Sequence, residues 1–314
     1  MSKKTGYLLG ILLTIILGTI LYWYLCCKPC LEADKVAIDN TINTEDVSVK
    51  TDQKTATINA FAVKDVNGDL DFQINDNLNF KTSSPLIIDS ITSSVGEGAN
   101  KLVAYYNSNP NKLLNIYGHY RSDEVNNSVF PDLGLARANA AKNYFVSKGM
   151  ASKNINTYGK LDDNFNANAE GVLQGPLSYE VKTVAAGDTS IEEDTKKLGD
   201  TIKADPLILY FDTAQATISL SDSQRLKVSN MVKYIDKVDG ALITVTGFTD
   251  NTGSRPTNIK LGQGRADFTK QYLIQNGIDS SKIQSFSKGP DLPIADNATE
   301  EGRAKNRRVE VTIN

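Results

Sequence analysis

Apolar and polar positions change rhythm several times along the 314 residues. The stretch from Tyr7 to Cys27, YLLGILLTIILGTILYWYLCC, runs for 21 residues without a charge. A helix of that length spans roughly 30 Å of hydrocarbon. Residues 28–68 are polar, with short alternating pieces such as VSV and ATINAFAV, and read as a tether with a strand near its end. From Asp69 onward, periods of two and of 3.6 alternate. The clearest case lies near the end of the chain. LILYFD is an apolar strand, and Ser221 to Val238 has a helical period through Leu226, Val228, Met231, Val232, Ile235 and Val238. Ser219 or Ser221 is placed to cap that helix. ALITVTGF is a strand, Thr257 to Asn276 a helix stopped by Gly277, Lys282 to Lys288 a strand, and RRVEVTI a final alternating strand. Strands alternating with helices predict an α/β (α+β) sandwich with helices packed on one sheet.

The pattern occurs twice. LGLARANAAKNYFVSKGMASKNINTYGK (133–160) aligns without gaps on LGQGRADFTKQYLIQNGIDSSKIQSFSK (261–288) at an offset of 128. LNIYGHY (114–120) matches ITVTGFT (243–249) at 129, LNFKT (78–82) matches LYFDT (209–213) at 131, and SYEVK (178–182) matches VEVTI (309–313) at 131. Offsets that drift by so little point to loop-length changes between two copies of one β-α-β-α-β domain. The period is too long for a solenoid, whose units run about 20–50 residues. The charged segment between the copies has room for a short helix.

Composition narrows the class of function. A net charge of −3 gives no basic field, so no nucleic-acid partner is expected. The three cysteines, Cys26, Cys27 and Cys30, sit at the end of the apolar run, and His119 is the one histidine. Neither domain can therefore hold an internal disulfide, and no metal or other cofactor is expected. No Ser-His-Asp set or phosphate loop is legible, so an enzyme is not expected. Lys3 and Lys4 before the apolar run, and Tyr22, Trp23 and Tyr24 at its end, read as an uncleaved signal anchor with a cytoplasmic amino terminus. The alternative is a lipoprotein signal ending at Cys26, although WYL lacks the small residues such a signal usually carries. Gly10, Thr14 and Gly18 form a small-xxx-small face that leaves a homo-dimer open. The span has no internal charge of the kind an ion-conducting stator helix would need.

Candidate chemistry lies in TGFTDNTGSRPTNIKLGQGRADF (246–268), where Asp250 ends a strand and Arg265 sits two turns into the next helix. Asn258 and Arg265, seven residues apart, share a helix face. A ligand with a free ammonium beside a free carboxylate needs one acceptor and one planar donor close together, which an Asp and an Arg supply. The rival reading is a structural Asp250–Arg265 ion pair.

This stretch, with DLPIADNATEEGRAKNRRVEVTI (291–313), resembles the OmpA-like C-terminal domain, the peptidoglycan-binding module of outer-membrane proteins, Pal lipoproteins and flagellar-stator proteins. Gly247, Thr249, Asp250, Gly253, Asn258, Leu261, Arg265 and Ala266 stand at the family spacing, as do Glu301, Gly302, Arg303, Asn306, Arg307, Arg308 and Val309. Phe248 replaces the usual His and Gly262 the usual Ser. The resemblance implies that Asp250 receives the ammonium of diaminopimelate in the stem peptide and Arg265 its carboxylate. Arg307 and Asn258 would add contacts, Thr249 would assist, and the loop at Thr213 and Ala214 would offer backbone groups. Of Arg307 and Arg308, one should face outward as a solvated strand charge. Arg303 is expected to pair with Glu300 or Glu301.

The first copy departs at the same places. Arg121 stands where Asp250 does, Phe130 where Asn258 does, and Pro176 near Arg307, while Arg137 remains. No diaminopimelate site of the usual kind is expected there, unless Asp123 or Glu124 substitutes. His119 reads as structural. The organisation expected is 1–6 cytoplasmic, 7–27 transmembrane helix, 28–68 tether, 69–183 degenerate domain, 184–204 linker and 205–314 peptidoglycan-binding domain. The protein would sit in the inner membrane as a single-pass chain with its domains in the periplasm, or else in the outer membrane as a lipoprotein. It would link membrane to wall, alone or as the wall-anchoring subunit of a secretion or motility machine, with 69–183 as a spacer or a site for a protein partner.

Overall fold

The computed structural model describes Leu17 and residues 55–211 and 218–314. Leu17 apart, the span expected over 7–27 lies outside the described residues, as does the tether up to 54. Among the described residues no helix is long and apolar enough to cross a membrane. All the architecture below lies in one compact unit, Gln53–Asn314.

The first half opens with β1 (Phe61–Lys64) antiparallel to β2 (Asp71–Ile74). Phe61 and Val63 are buried, so the chain enters the core here, ahead of Asp69. A short β3 (Phe80–Lys81) pairs with β6 (Val172–Leu173). The central strand β4 (Lys112–Tyr120) runs parallel to β5 (Ile155–Leu161) and antiparallel to β7 (Leu177–Thr183). Helices α1 (Ser93–Ser108) and α2 (Leu133–Ser147) join these strands, and Val95, Leu102, Tyr106, Ala138 and Phe145 enter the core with them.

Between the halves the chain forms a 15-residue helix, α3 (Ser190–Ala204), longer than the short helix expected there. The second half follows as β8 (Leu207–Tyr210), α4 (Asp222–Lys237), β9 (Ile243–Phe248), α5 (Arg255–Gln275), β10 (Ile283–Gly289), α6 (Glu300–Asn306) and β11 (Arg308–Ile313). Its sheet order is β10-β9-β11-β8, with β10 parallel to β9 and β11 antiparallel to both β9 and β8. Ile243, Val245, Val309 and Val311 are buried, while Thr244, Thr246, Glu310 and Thr312 stay partly exposed, so one face of the sheet is covered. Ser221 caps α4 through a reciprocal bond with Gln224. Val228, Met231, Val232 and Ile235 of α4 are buried as expected, but Leu226 is 54% exposed and Val238 only partly buried. Helix α5 starts two residues before Thr257, because Ser254 caps it and Pro256 is tolerated in a first turn.

The halves are bonded side by side. Val129, Phe130 and Ala136 of the first half join the core cluster of the second. Lys142 bonds Asp236, and Asn143 donates to the Gly277 carbonyl at 2.6 Å. Lys237 donates to the carbonyls of Lys153 and Ile155 at 2.7 and 3.0 Å.

Candidate functional site

The loop after β9 builds one wall of the site. Thr249 N donates to the Gly289 carbonyl at 2.9 Å, extending the β9–β10 pairing past the strand end. The Asp250 carboxylate then accepts from Thr252 N at 2.9 Å, closing an Asx-type turn that Gly253 continues at φ +88°. Asn258 does not reach outward from the helix. It is 3% exposed, and its Nδ2 donates to the carbonyls of Asp250 and Thr252 at 3.3 and 3.1 Å. Thr249 is buried as well, and its hydroxyl donates to the Asp250 carbonyl at 2.9 Å. Both residues therefore fix the backbone that carries the carboxylate.

Helix α5 is held hard against β9. A Cβ added at Gly247 would lie 1.9 Å from the Gly262 carbonyl oxygen, so only glycine permits this approach. The close contact brings Arg265 to the strand end, where its Nη1 donates to the Phe248 carbonyl at 3.3 Å.

The rival reading, a structural Asp250–Arg265 pair, does not form. Asp250 pairs with Arg307, whose Nη1 donates to Oδ2 at 2.9 Å, while Arg307 Nη2 donates to Glu300 at 2.8 Å. Among the described residues Arg265 has no salt bridge. Burial holds its guanidinium below the ordinary arginine range, the like charge of Arg307 adds to this, and Asp250 opposes it. Burial pushes the Asp250 carboxyl up, but the bonds from Thr252 and Arg307 outweigh this and hold it below the usual carboxylate value.

Thr249, Asp250, Asn258, Arg265 and Arg307 line one open cavity of about 350 Å³, with Thr252, Leu261, Glu300 and Arg303. Ala214 and Thr213 lie outside the described residues. Arg303 pairs with Glu300, one of its two expected partners. Glu300 also orients Arg307, a role the sequence reading missed, since helix-end acids ordinarily mark the terminus itself. Neither Arg307 nor Arg308, at the start of β11, is a solvated strand charge. The Arg307 side chain is 18% exposed, and Arg308 is 2% exposed with its guanidinium 3.9 Å from the Phe248 ring centre. Phe248 explains the difference, because a ring at that position gives Arg308 a face to stack on.

The matching place in the first half is arranged differently. Arg121 forks onto Asp123 at 2.8 and 2.6 Å. Arg137 is fully buried and paired with Glu124. His119 lies between Asp162 and Ser178, 3.2 and 3.1 Å from its ring nitrogens, a Ser-His-Asp chain of bonds that the sequence did not reveal. Ser178 faces Tyr117 within β7, none of the three residues lines the cavity above, and the bonds satisfy an imidazole that is 5% exposed. Among the described residues no cluster of acidic, His or Cys side chains could hold a metal.

The model of the OmpA family matches residues 210–307, which hold the Asp250 loop and the Arg265 helix. The chain is 40% identical over 103 residues to the probable lipoprotein YiaD of Escherichia coli (strain K12), covering 33% of this chain and 46% of that one. It is 49% identical over 74 residues to the peptidoglycan-binding protein ArfA of Mycobacterium tuberculosis (strain ATCC 25618 / H37Rv), covering 24% and 23%. The chain thus spans less than half the length of either relative. Among solved structures, the C-terminal domain of Helicobacter pylori MotB is 32% identical with a TM-score of 0.29, over 35% of this chain and 84% of that one.

Proposed function

We propose that the protein is a non-enzymatic binder of peptidoglycan. Its second half would clamp the diaminopimelate of the stem peptide, linking the cell wall to a membrane anchor at 7–27. The observation that carries the reading is the pairing state of the cavity. Asp250 has accepted two hydrogen bonds, from Thr252 and Arg307, and a carboxylate offers about four lone-pair sites, so it can still receive an ammonium. Arg265 lines the same cavity and, among the described residues, has no carboxylate paired with it. One acceptor with lone pairs to spare and one cation without a paired carboxylate among the described residues suit a zwitterion. Arg307, Asn258 and Thr249 set the Asp250 loop, and Ala214 would add a backbone group. The name of the relative ArfA, a peptidoglycan-binding protein, supports the coarser part of this reading.

We read the first half as a divergent copy of the second. The strand order β5-β4-β7 parallels β10-β9-β11. A Cβ on Gly118 would meet the Gly134 carbonyl oxygen at 1.9 Å, the same close approach as Gly247 to Gly262. Its clamp lacks the acceptor, so it serves as a spacer bonded along one seam to the gripping half.

Retention of the full-length protein on purified diaminopimelate-type sacculi tests the clamp. Wild type should be retained, and Asp250→Ala and Arg265→Ala should wash through. Equal retention of all three refutes it.

A further inference from the structure

The buried ion pair of the first half has the makeup of a bound ligand. The side chains of Glu124 and Arg137 are both 0% exposed. Arg137 is positioned by three backbone carbonyls, those of Ser84 at 3.1 Å, His119 at 2.8 Å and Lys81 at 3.4 Å. Its two remaining N–H groups form a fork, and the Glu124 carboxylate fills it, with Nη1 donating to Oε2 at 3.0 Å and Nη2 to Oε1. Two backbone amides complete the set. Ser83 N donates to Oε1 at 2.8 Å and Arg121 N to Oε2 at 2.9 Å. A guanidinium fork plus two amides is a full recognition set for a carboxylate. Ser83 reaches this position at φ +57°, the one non-glycine in the left-handed region among the described residues. Strain of this kind persists where the surroundings enforce it. Ser83 is itself clasped, its hydroxyl accepting from Val125 N at 3.0 Å.

Among the described residues, the second half shows two members of the same set unfilled. Arg265 donates to the Phe248 carbonyl as Arg137 does to that of His119, and has no salt bridge among the described residues. The amide of Asp250 is the counterpart of the Arg121 amide in the repeat alignment, and it makes no hydrogen bond among the described residues.

We propose that Glu124 is a ligand carboxylate supplied in cis. The first half retains a carboxylate-binding site, made by Arg137 and the amides of Ser83 and Arg121, which its own chain occupies. In the second half, Arg265 and the Asp250 amide take a ligand carboxylate in the same pose. The filled site stands without the wall-binding proposal, and the pose in the second half rests on it. The first half would therefore not compete for the wall ligand, because its carboxylate subsite is already saturated.

Acetate is the probe, applied to the full-length protein in an Arg265→Ala background so that only the first half responds. Thermal melts compare acetate with chloride at constant ionic strength. Arg265→Ala alone should be indifferent to the exchange. Arg265→Ala with Glu124→Ala should melt several degrees higher in acetate. Arg265→Ala with Glu124→Gln, whose amide still fills the cup, should be indifferent. No preference for acetate in the emptied variant, or the same gain in all three, overturns the proposal. If the emptied variant does not fold in chloride, its refolding yield from urea is read against acetate. A rising yield supports the site and a flat one overturns it. For the second half, acetate should shift the Asp250 amide resonance of the wild type saturably and leave it unmoved in Arg265→Ala. No shift in the wild type, or one that survives the substitution, overturns the pose. Neither readout uses peptidoglycan, so failure to bind sacculi is a separate result.

Discussion

Arg265→Ala should separate binding from stability. In the free protein Arg265 contributes one hydrogen bond, to the Phe248 carbonyl at 3.3 Å, and no salt bridge among the described residues. A net hydrogen bond is worth about 0.5–1.5 kcal/mol, and the guanidinium is half-buried beside Arg307, so removing it should change unfolding free energy by no more than about 1 kcal/mol. In the complex the same side chain would hold a carboxylate. Charge-assisted bonds contribute about 1.5–3 kcal/mol, which at about 1.4 kcal/mol per tenfold is a loss of roughly 10- to 150-fold in affinity. The assay is calorimetric titration with a stem peptide ending in diaminopimelate, beside urea melts of the same preparations. A second peptide carries lysine in place of diaminopimelate and so lacks the carboxylate beside the side-chain ammonium. Wild type should favour diaminopimelate by the full factor, and Arg265→Ala should treat the two peptides alike, which closes a double-mutant cycle. If the variant keeps the preference, or loses more than about 2 kcal/mol of stability, Arg265 is a structural residue and the clamp is wrong.

Other substitutions probe the scaffold. Glu124→Ala leaves a fully buried guanidinium uncompensated and should cost about 3–5 kcal/mol in urea melts without acetate. Gly247→Ala places a Cβ 1.9 Å from a backbone oxygen, while Gly262→Ala meets first the Ser287 side-chain hydroxyl at 2.4 Å. The former should therefore destabilise by about 1–3 kcal/mol and the latter by less, measured by chemical unfolding. Asp250 is depressed in the folded state, so its stabilisation is complete above the unfolded carboxylate value of 3.8 and is lost as pH falls through the lower folded value. Acid melts of wild type and Asp250→Asn should accordingly converge only below that point. Burial lowers the Lys237 ammonium to about 8, with Asp236 opposing and Lys233 and Lys142 reinforcing. The folded state then binds fewer protons than the unfolded one between about 8 and 10.5, so wild-type stability should rise relative to Lys237→Met across that window.

The elements of the second half were legible because their apolar spacing answers to one sheet and one covered face. Val228, Met231, Val232 and Ile235 follow the period and are buried, and Ser221 and Gly277 mark helix ends by rules that act within a few residues. Leu226 fits the same period yet is exposed, because the covered stripe of α4 is narrower than the apolar one. The residues around the site were legible as a set, but their partners were not. Asp250 and Arg265 stand close along the chain and suggest a pair, whereas Asp250 is held by Arg307 from 57 residues away. That choice depends on α6 and Glu300 presenting Arg307 to the β9 loop, which local spacing cannot encode. The first half carries related information in another form. Where the first half has Arg121 in place of the acceptor, it also supplies Glu124 to Arg137, so one of the two corresponding arginines has a carboxylate from its own chain. A half that provides the carboxylate from its own chain is closed. Under the proposed function, the half that pairs Asp250 with Arg307 would take the carboxylate for Arg265 from the ligand, whereas Arg137 is a buried core residue paired within its own chain.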